Sequence, residues 1–127
     1  MTQSTTSWSG QVDAVWLSDG RSMRLNEPLS YRDRRGILWT AGTGLVVDGA
    51  SIPRVLWRAI GGPFSGRYRR ASVIHDAYCQ TRERRSQDVH AVFREMMWAD
   101  GVGRLKSWLM WLAVRSFGPR FGGLKVW

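Results

Sequence analysis

His75 and His90 are the only imidazoles in the 127-residue chain, and the residues around them bound the chemistry it can offer. Asp76 adjoins His75, Tyr78 and Cys79 follow on the same run, and Asp48 stands upstream in Asp48-Gly49-Ala50-Ser51-Ile52-Pro53. Ala71, Ile74, His75 and Tyr78 share one helical face by their i, i+3, i+4 and i+7 spacing. Val89, Phe93, Met96 and Met97 form the stripe of a second helix with His90 beside it. Helices joined by a short connection, here about 81–85, pack antiparallel, which would bring the two imidazoles within several ångströms.

Three readings of this constellation follow. Asp48, His75, Asp76 and His90 together make two imidazoles and two carboxylates, a ligand set that suits one divalent Zn, Mn or Fe ion. Such an ion would acidify a bound water for hydrolysis. Without a metal, a carboxylate hydrogen-bonded to His75 would fix its tautomer and raise its basicity. His75 would then act as a general base, with Tyr78 or an arginine steadying developing charge. The third reading is structural: a buried His–Asp pair with Tyr78 ties a turn to a helix, and Asp48 caps backbone amides. Cys79 stands at i+4 from His75, a spacing that permits a thiol nucleophile, although one such cysteine usually serves as a small buried hydrophobe.

The elements that must position these side chains come from the rest of the pattern. Residues 1–10 are polar and rich in Ser and Thr, which predicts a flexible arm, and 11–127 has the size and apolar content of a single domain. Ser18-Asp19-Gly20 between two alternating runs predicts a hairpin. A second hairpin is predicted around Arg32-Asp33-Arg34-Arg35-Gly36, and Gly44-Leu45-Val46-Val47 reads as a further short strand. At Asp48 the periodicity stops, and Asp, Ser and Pro predict a strand-to-helix connection followed by a short helix through Val55, Leu56 and Ile60. Ser65 is placed to cap a helix running to about Gln80, Ser86 one running to about Ala99, and a last helix covers roughly 103–117. The expectation is an α+β fold, a small antiparallel sheet from the first third covered by three or four helices.

Composition narrows the classes further. One cysteine excludes a disulfide framework within the chain and a cysteine-based zinc cluster. No run approaches the roughly 20 apolar residues of a membrane span, and the start of the chain lacks the pattern of a signal peptide. The expected setting is the bacterial host cytoplasm or a phage virion. Residues 1–52 hold five acids and five arginines, so the whole net charge of +9 falls later, where twelve Arg and two Lys face five acids. Arg54, Arg58, Arg67, Arg69, Arg70, Arg82, Arg84 and Arg85 form the candidate surface for nucleic acid or another polyanion, since guanidinium is a fitting fork for phosphate. A genome rich in G and C would raise Arg as well. Trp108-Leu109-Met110-Trp111-Leu112 sweeps more than a full helical turn, so some apolar side chain must face outward. Another copy, a virion protein, a lipid interface or the chain's own tail around Phe121 and Trp127 could cover it.

Gly44-Leu45-Val46-Val47-Asp48-Gly49-Ala50-Ser51-Ile52-Pro53-Arg54, with Trp57, Tyr68, Ala71, His75-Asp76 and Tyr78, resembles the phage and prophage family catalogued as domain of unknown function 1353. The likeness covers about 13–118, including Phe93, Met97, Gly101, Arg115 and Phe117-Gly118. It implies a small single-domain protein of phage or prophage origin and brings no activity with it. Position 90 in that family is expected to be Asp more often than His, which makes it an interchangeable ligand-type or polar core position. Two functional classes remain: a small hydrolase-like enzyme, metal-dependent if the ligand set is filled, acting on host cell wall or nucleic acid; or a binding or virion-assembly module that uses the Arg-rich stretch and the Trp-rich last helix.

Overall fold

The computed structural model describes residues 7–49 and 66–117. Six strands come first: β1 (Ser7–Ser9), β2 (Ala14–Trp16), β3 (Met23–Leu25), β4 (Leu29–Arg32), β5 (Leu38–Ala41) and β6 (Val46–Val47). A 3-10 turn at Gly66–Tyr68 then leads into α1 (Arg69–Thr81), followed by α2 (Ser86–Ala99) and α3 (Arg104–Phe117). The fold is α+β. Its strands divide between two antiparallel sheets rather than one, ordered β1-β4-β5 and β2-β3-β6.

Local chemistry explains both hairpins. In the first, Leu17 N–H donates to Ser22 O at 2.8 Å, and the Asp19 carboxylate accepts from the Arg21 and Ser22 amides. The Ser22 hydroxyl, with those two amides, holds the Asp19 carboxyl down at about 2. In the second, buried Asp33 accepts from the N–H groups of Arg35 and Ile37 and from Trp39 Nε1, so one carboxylate fixes both the turn and the strand after it. Gly36 completes that turn at φ +82°, where side chains with a Cβ are strained.

The assignment of 1–10 to a flexible arm needs correction at 7–9, which form β1 against β4. The physical reason is Trp8, whose ring lies 4.8 Å from that of Tyr31 and under the Arg70 guanidinium at 4.5 Å. A single aromatic anchor between two serines is enough to pair a three-residue edge strand.

Helix α1 is the centre of the molecule. Residues 71–79 are all buried, because β4, β5 and β6 cover one side and α2 the other. The one-sided stripe expected from periodicity is thus extended all round, as a core helix requires. Ala71, Ser72, Ala77 and Cys79 keep its girth small enough for neighbours on every side. The helix ends where Arg82 takes the left-handed conformation at φ 57° and donates its N–H to Tyr78 O. Ser86 begins α2 as expected but lies inside the helix; extended Arg85 is the N-cap, with no side-chain capping bond.

Trp39, Tyr31, Leu25, Leu29, Ile74, Phe93, Met96 and Met97 are the large fully buried side chains, contributed by both sheets and by α1 and α2. On α3, Ser107, Met110 and Val114 face this core while Leu105, Trp108 and Leu109 are exposed, so apolar side chains do look outward. The expected helix through Val55, Leu56 and Ile60, the Ser65 cap and the tail around Phe121 and Trp127 lie outside the described residues.

Candidate functional site: a buried imidazole pair

The phase of the two helical stripes places His75 on α1 opposite His90 on α2, and the two rings meet. His75 Nε2 and His90 Nδ1 lie 2.8 Å apart, a hydrogen bond in which one nitrogen carries the proton and the other accepts it. The ring centroids are 5.0 Å apart, and the ring of Phe93 packs on His75 at 4.5 Å. His75 is 0% and His90 2% exposed, so the pair is shut off from solvent. Burial, reinforced by the charge His90 would carry, pushes the His75 pKa well below its ordinary 6.5. His75 is therefore neutral in the fold at pH 7, the state in which an imidazole can accept a proton.

The bonds of the Asp76 carboxylate give it a different role from that of a simple metal ligand. Asp76, 2% exposed, accepts at Oδ2 from the Asp48 backbone N–H and from Gln80 Nε2, each at 3.0 Å. Gln80 Nε2 also donates to Val46 O at 2.8 Å. Asp76 and Gln80 thereby lock the exit of β6 onto α1, and the bond joining Asp48 to Asp76 uses the Asp48 backbone. Gln80, the expected end of this helix, also belongs to the site: its i+4 spacing from Asp76 puts the two side chains on one face. Among the described residues, no group of three or more His, Cys, Asp and Glu could hold a metal ion.

Tyr78 turns to the sheet. Its hydroxyl accepts from Thr40 N–H at 2.8 Å and its ring meets the edge of Trp39 at 4.9 Å, which places it between α1 and β5. Cys79 Sγ lies 3.9 Å from both ring nitrogens of His75. Equal distances to two nitrogens put the sulfur beside the ring as a whole rather than in line with one lone pair, which is not the alignment of a thiol activated by its base.

Of the eight arginines expected to face a polyanion, Arg54 and Arg58 lie outside the described residues, and the structure gives several of the others internal partners. Arg67 donates to Gly101 O at 2.9 Å, and Arg70 forms a salt bridge with Asp100 while covering Trp8. Arg84 donates to Leu38 O at 3.0 Å and lies over the Trp39 ring at 4.6 Å. Arg85 pairs with Asp88 at 3.1 Å. Arg69 is exposed, and Arg82 is the left-handed cap of α1. Arg67, Arg70 and Arg84 thus tie separate parts of the fold together.

Residues 23–114 match a protein family described as "Protein of unknown function (DUF1353)". The chain belongs to the DUF1353 family. The match takes in β3, the second hairpin, β6, the imidazole pair and most of α3, and it begins after β1, β2 and the first turn. Two proteins of Sinorhizobium fredii (strain NBRC 101917 / NGR234) are similar to it. "Uncharacterized protein y4jT" is 46% identical over 95 residues, which is 75% of this chain and 28% of that protein. "Uncharacterized protein y4iH" is 39% identical over 106 residues, 84% of this chain and 44% of that protein. The chain therefore spans less than half the length of either relative. No solved structure matches.

Proposed function

We propose that this domain is a small hydrolase-type enzyme whose proton-handling group is the His75–His90 pair. The observation that carries this reading is the 2.8 Å bond between the two buried imidazoles. Two imidazoles sharing one proton can accept a proton at one end while releasing another at the other end. An attacking water would give its proton to one imidazole, and the leaving group would take one back, so the pair ends the cycle as it began. Asp76 and Asp48 are positioning residues in this scheme, because their bond sets how β6 meets the helix that carries His75. The substrate classes we propose are cell-wall polymer and nucleic acid.

The separation also bears on the metal. Two ligands at about 2.05 Å on a tetrahedral ion stand roughly 3.3 Å apart, so the imidazoles as placed suit a shared proton, and Zn, Mn or Fe would have to part them. The test uses the purified full chain on peptidoglycan and on nucleic acid, with and without a chelator. Turnover that survives chelation and drops at least about a hundredfold in His75→Gln and in His90→Gln, with unchanged circular dichroism, is expected. Absence of turnover on both substrates, or activity retained by either folded variant, rejects the reading. Activity abolished by the chelator assigns the centre to a metal instead.

A further inference from the structure

Cations without a carboxylate gather on α2 and α3, at positions outside the stretch 54–85. The Arg94 guanidinium lies over two indoles, Trp98 at 5.0 Å and Trp111 at 4.8 Å. Arg104 also lies over Trp98, at 4.9 Å, and Arg115 over Trp111, at 5.3 Å. Three guanidiniums and two indoles thus alternate across the α2–α3 surface. Among the described residues, Arg70 and Arg85 form salt bridges, and no salt bridge involves Arg94, Arg104, Lys106 or Arg115. The sequence carries no Asp or Glu after Asp100.

Helix α3 adds an apolar ridge to this charge. With Ser107, Met110 and Val114 turned to the core, residues about 100° apart along the helix bring Leu105, Leu109 and Leu112 to the far side, with Trp108 next to them. Leu105 is 71% exposed, Trp108 45% and Leu109 48%. By the same rotation Arg104 and Arg115 flank the ridge on one side and Lys106 on the other, all three exposed. An open cleft of about 560 Å³ beside the first turn, lined by Arg67, Arg104 and Lys106, continues the cationic rim.

We propose that this face of α3 docks on the surface of an anionic lipid bilayer. Leu105, Trp108 and Leu109 enter the boundary between headgroups and acyl chains, and Arg104, Lys106 and Arg115 reach back to the lipid phosphates. An apolar ridge with cations on both flanks and no acid is the arrangement that lies in a membrane interface. Long basic side chains beside such a ridge keep their stems on the apolar surface and their charges in the headgroups. The helix is too short to do more: among the described residues, none is long and apolar enough to cross a membrane.

Charge decides against other occupants. A second copy packed on the same face would set Arg104, Lys106 and Arg115 against their own counterparts with no carboxylate between them. Residues 118–127 add Arg120 and Lys125 and no acid, so they repeat the charge instead of complementing it. Nucleic acid would meet the cations, but Leu105 and Leu109 offer aliphatic surface where bases call for flat rings or hydrogen-bonding groups.

The proposal is independent of any chemistry at His75. Its test is sedimentation of the full chain with vesicles of phosphatidylglycerol and phosphatidylcholine, against phosphatidylcholine alone. Binding to the anionic vesicles only is expected, with a blue shift of tryptophan emission. Lys106→Gln should weaken it about fivefold, the effect of one cation near a charged surface. Leu105→Glu combined with Leu109→Glu should abolish it while leaving the circular dichroism spectrum intact. Equal binding to neutral vesicles, binding to neither, or binding that survives the double substitution overturns the proposal. So does a dimer that the double substitution dissociates, or retention on DNA that it removes, each of which gives the face to a different occupant.

Discussion

Trp39→Ala is expected to destabilise the protein by about 3–5 kcal/mol, the range for deleting a buried tryptophan. Trp39 is 0% exposed and touches three systems at once. Its Nε1 donates to Asp33 Oδ2 at 3.0 Å, its ring meets Tyr78 edge-on, and the Arg84 guanidinium lies over it. Alanine would open a void between β5 and α1 and leave the Asp33 carboxylate short of a donor in a site 2% exposed. Trp39→Phe separates the two losses: it refills most of the void but cannot donate, and should cost about 1–3 kcal/mol. Trp16→Ala is the control. Trp16 is 58% exposed, and its replacement should stay within about 0.5 kcal/mol. Urea midpoints measure all three, and a loss under 1 kcal/mol in Trp39→Ala would contradict the role given to Trp39.

Mild acid is the second strong perturbation. The unfolded chain takes a proton on His75 as pH falls through about 6.5, whereas burial and the neighbouring His90 keep the folded chain from doing so. The unfolded state then binds more protons, and stability falls with pH by about 1.4 kcal/mol per unit. Above 6.5 both states are neutral at His75 and its contribution is flat. The expected profile is level from pH 8 to 7 and descends from about 6.5 toward 5, before surface carboxylates begin to titrate. His75→Gln should flatten that descent. A profile already flat in the parent chain, or unchanged in the variant, would mean that His75 takes up its proton equally well in the fold.

Much of the fold was legible because it is written in local chemistry. Asp19-Gly20 and Asp33 with Gly36 each fix a turn through contacts within a few residues, so both hairpins could be placed from the sequence. The meeting of His75 and His90 was legible for a similar reason: two helical stripes and a short connection leave little freedom in how the helices face. What could not be read depends on distant partners. Nothing near Ser7-Trp8-Ser9 announces that Trp8 will pack on Tyr31, and no local signal sends β6 back to β3 instead of onto β5. Asp33 carried the marks of a turn residue, but its bond to the Trp39 indole needed the strand's pleat. The arginines were the hardest case, because composition counts charges without showing which guanidiniums stack on rings, cap carbonyls or face solvent.

The alternation of strands between the sheets bears on the order in which the protein assembles. The chain visits the first sheet at β1, the second at β2 and β3, the first again at β4 and β5, and the second again at β6. The two hairpins close over a few residues and can form within microseconds, but each is a marginal two-stranded ribbon. Each gains its third strand only by a longer closure, and the β3–β6 closure spans the whole second hairpin. The sheets are therefore laced through one another, and neither can detach as a separate unit. We expect hydrogen exchange to show β1, β4 and β5 protected to the same free energy as β2, β3 and β6, with no subglobal opening that frees one sheet alone.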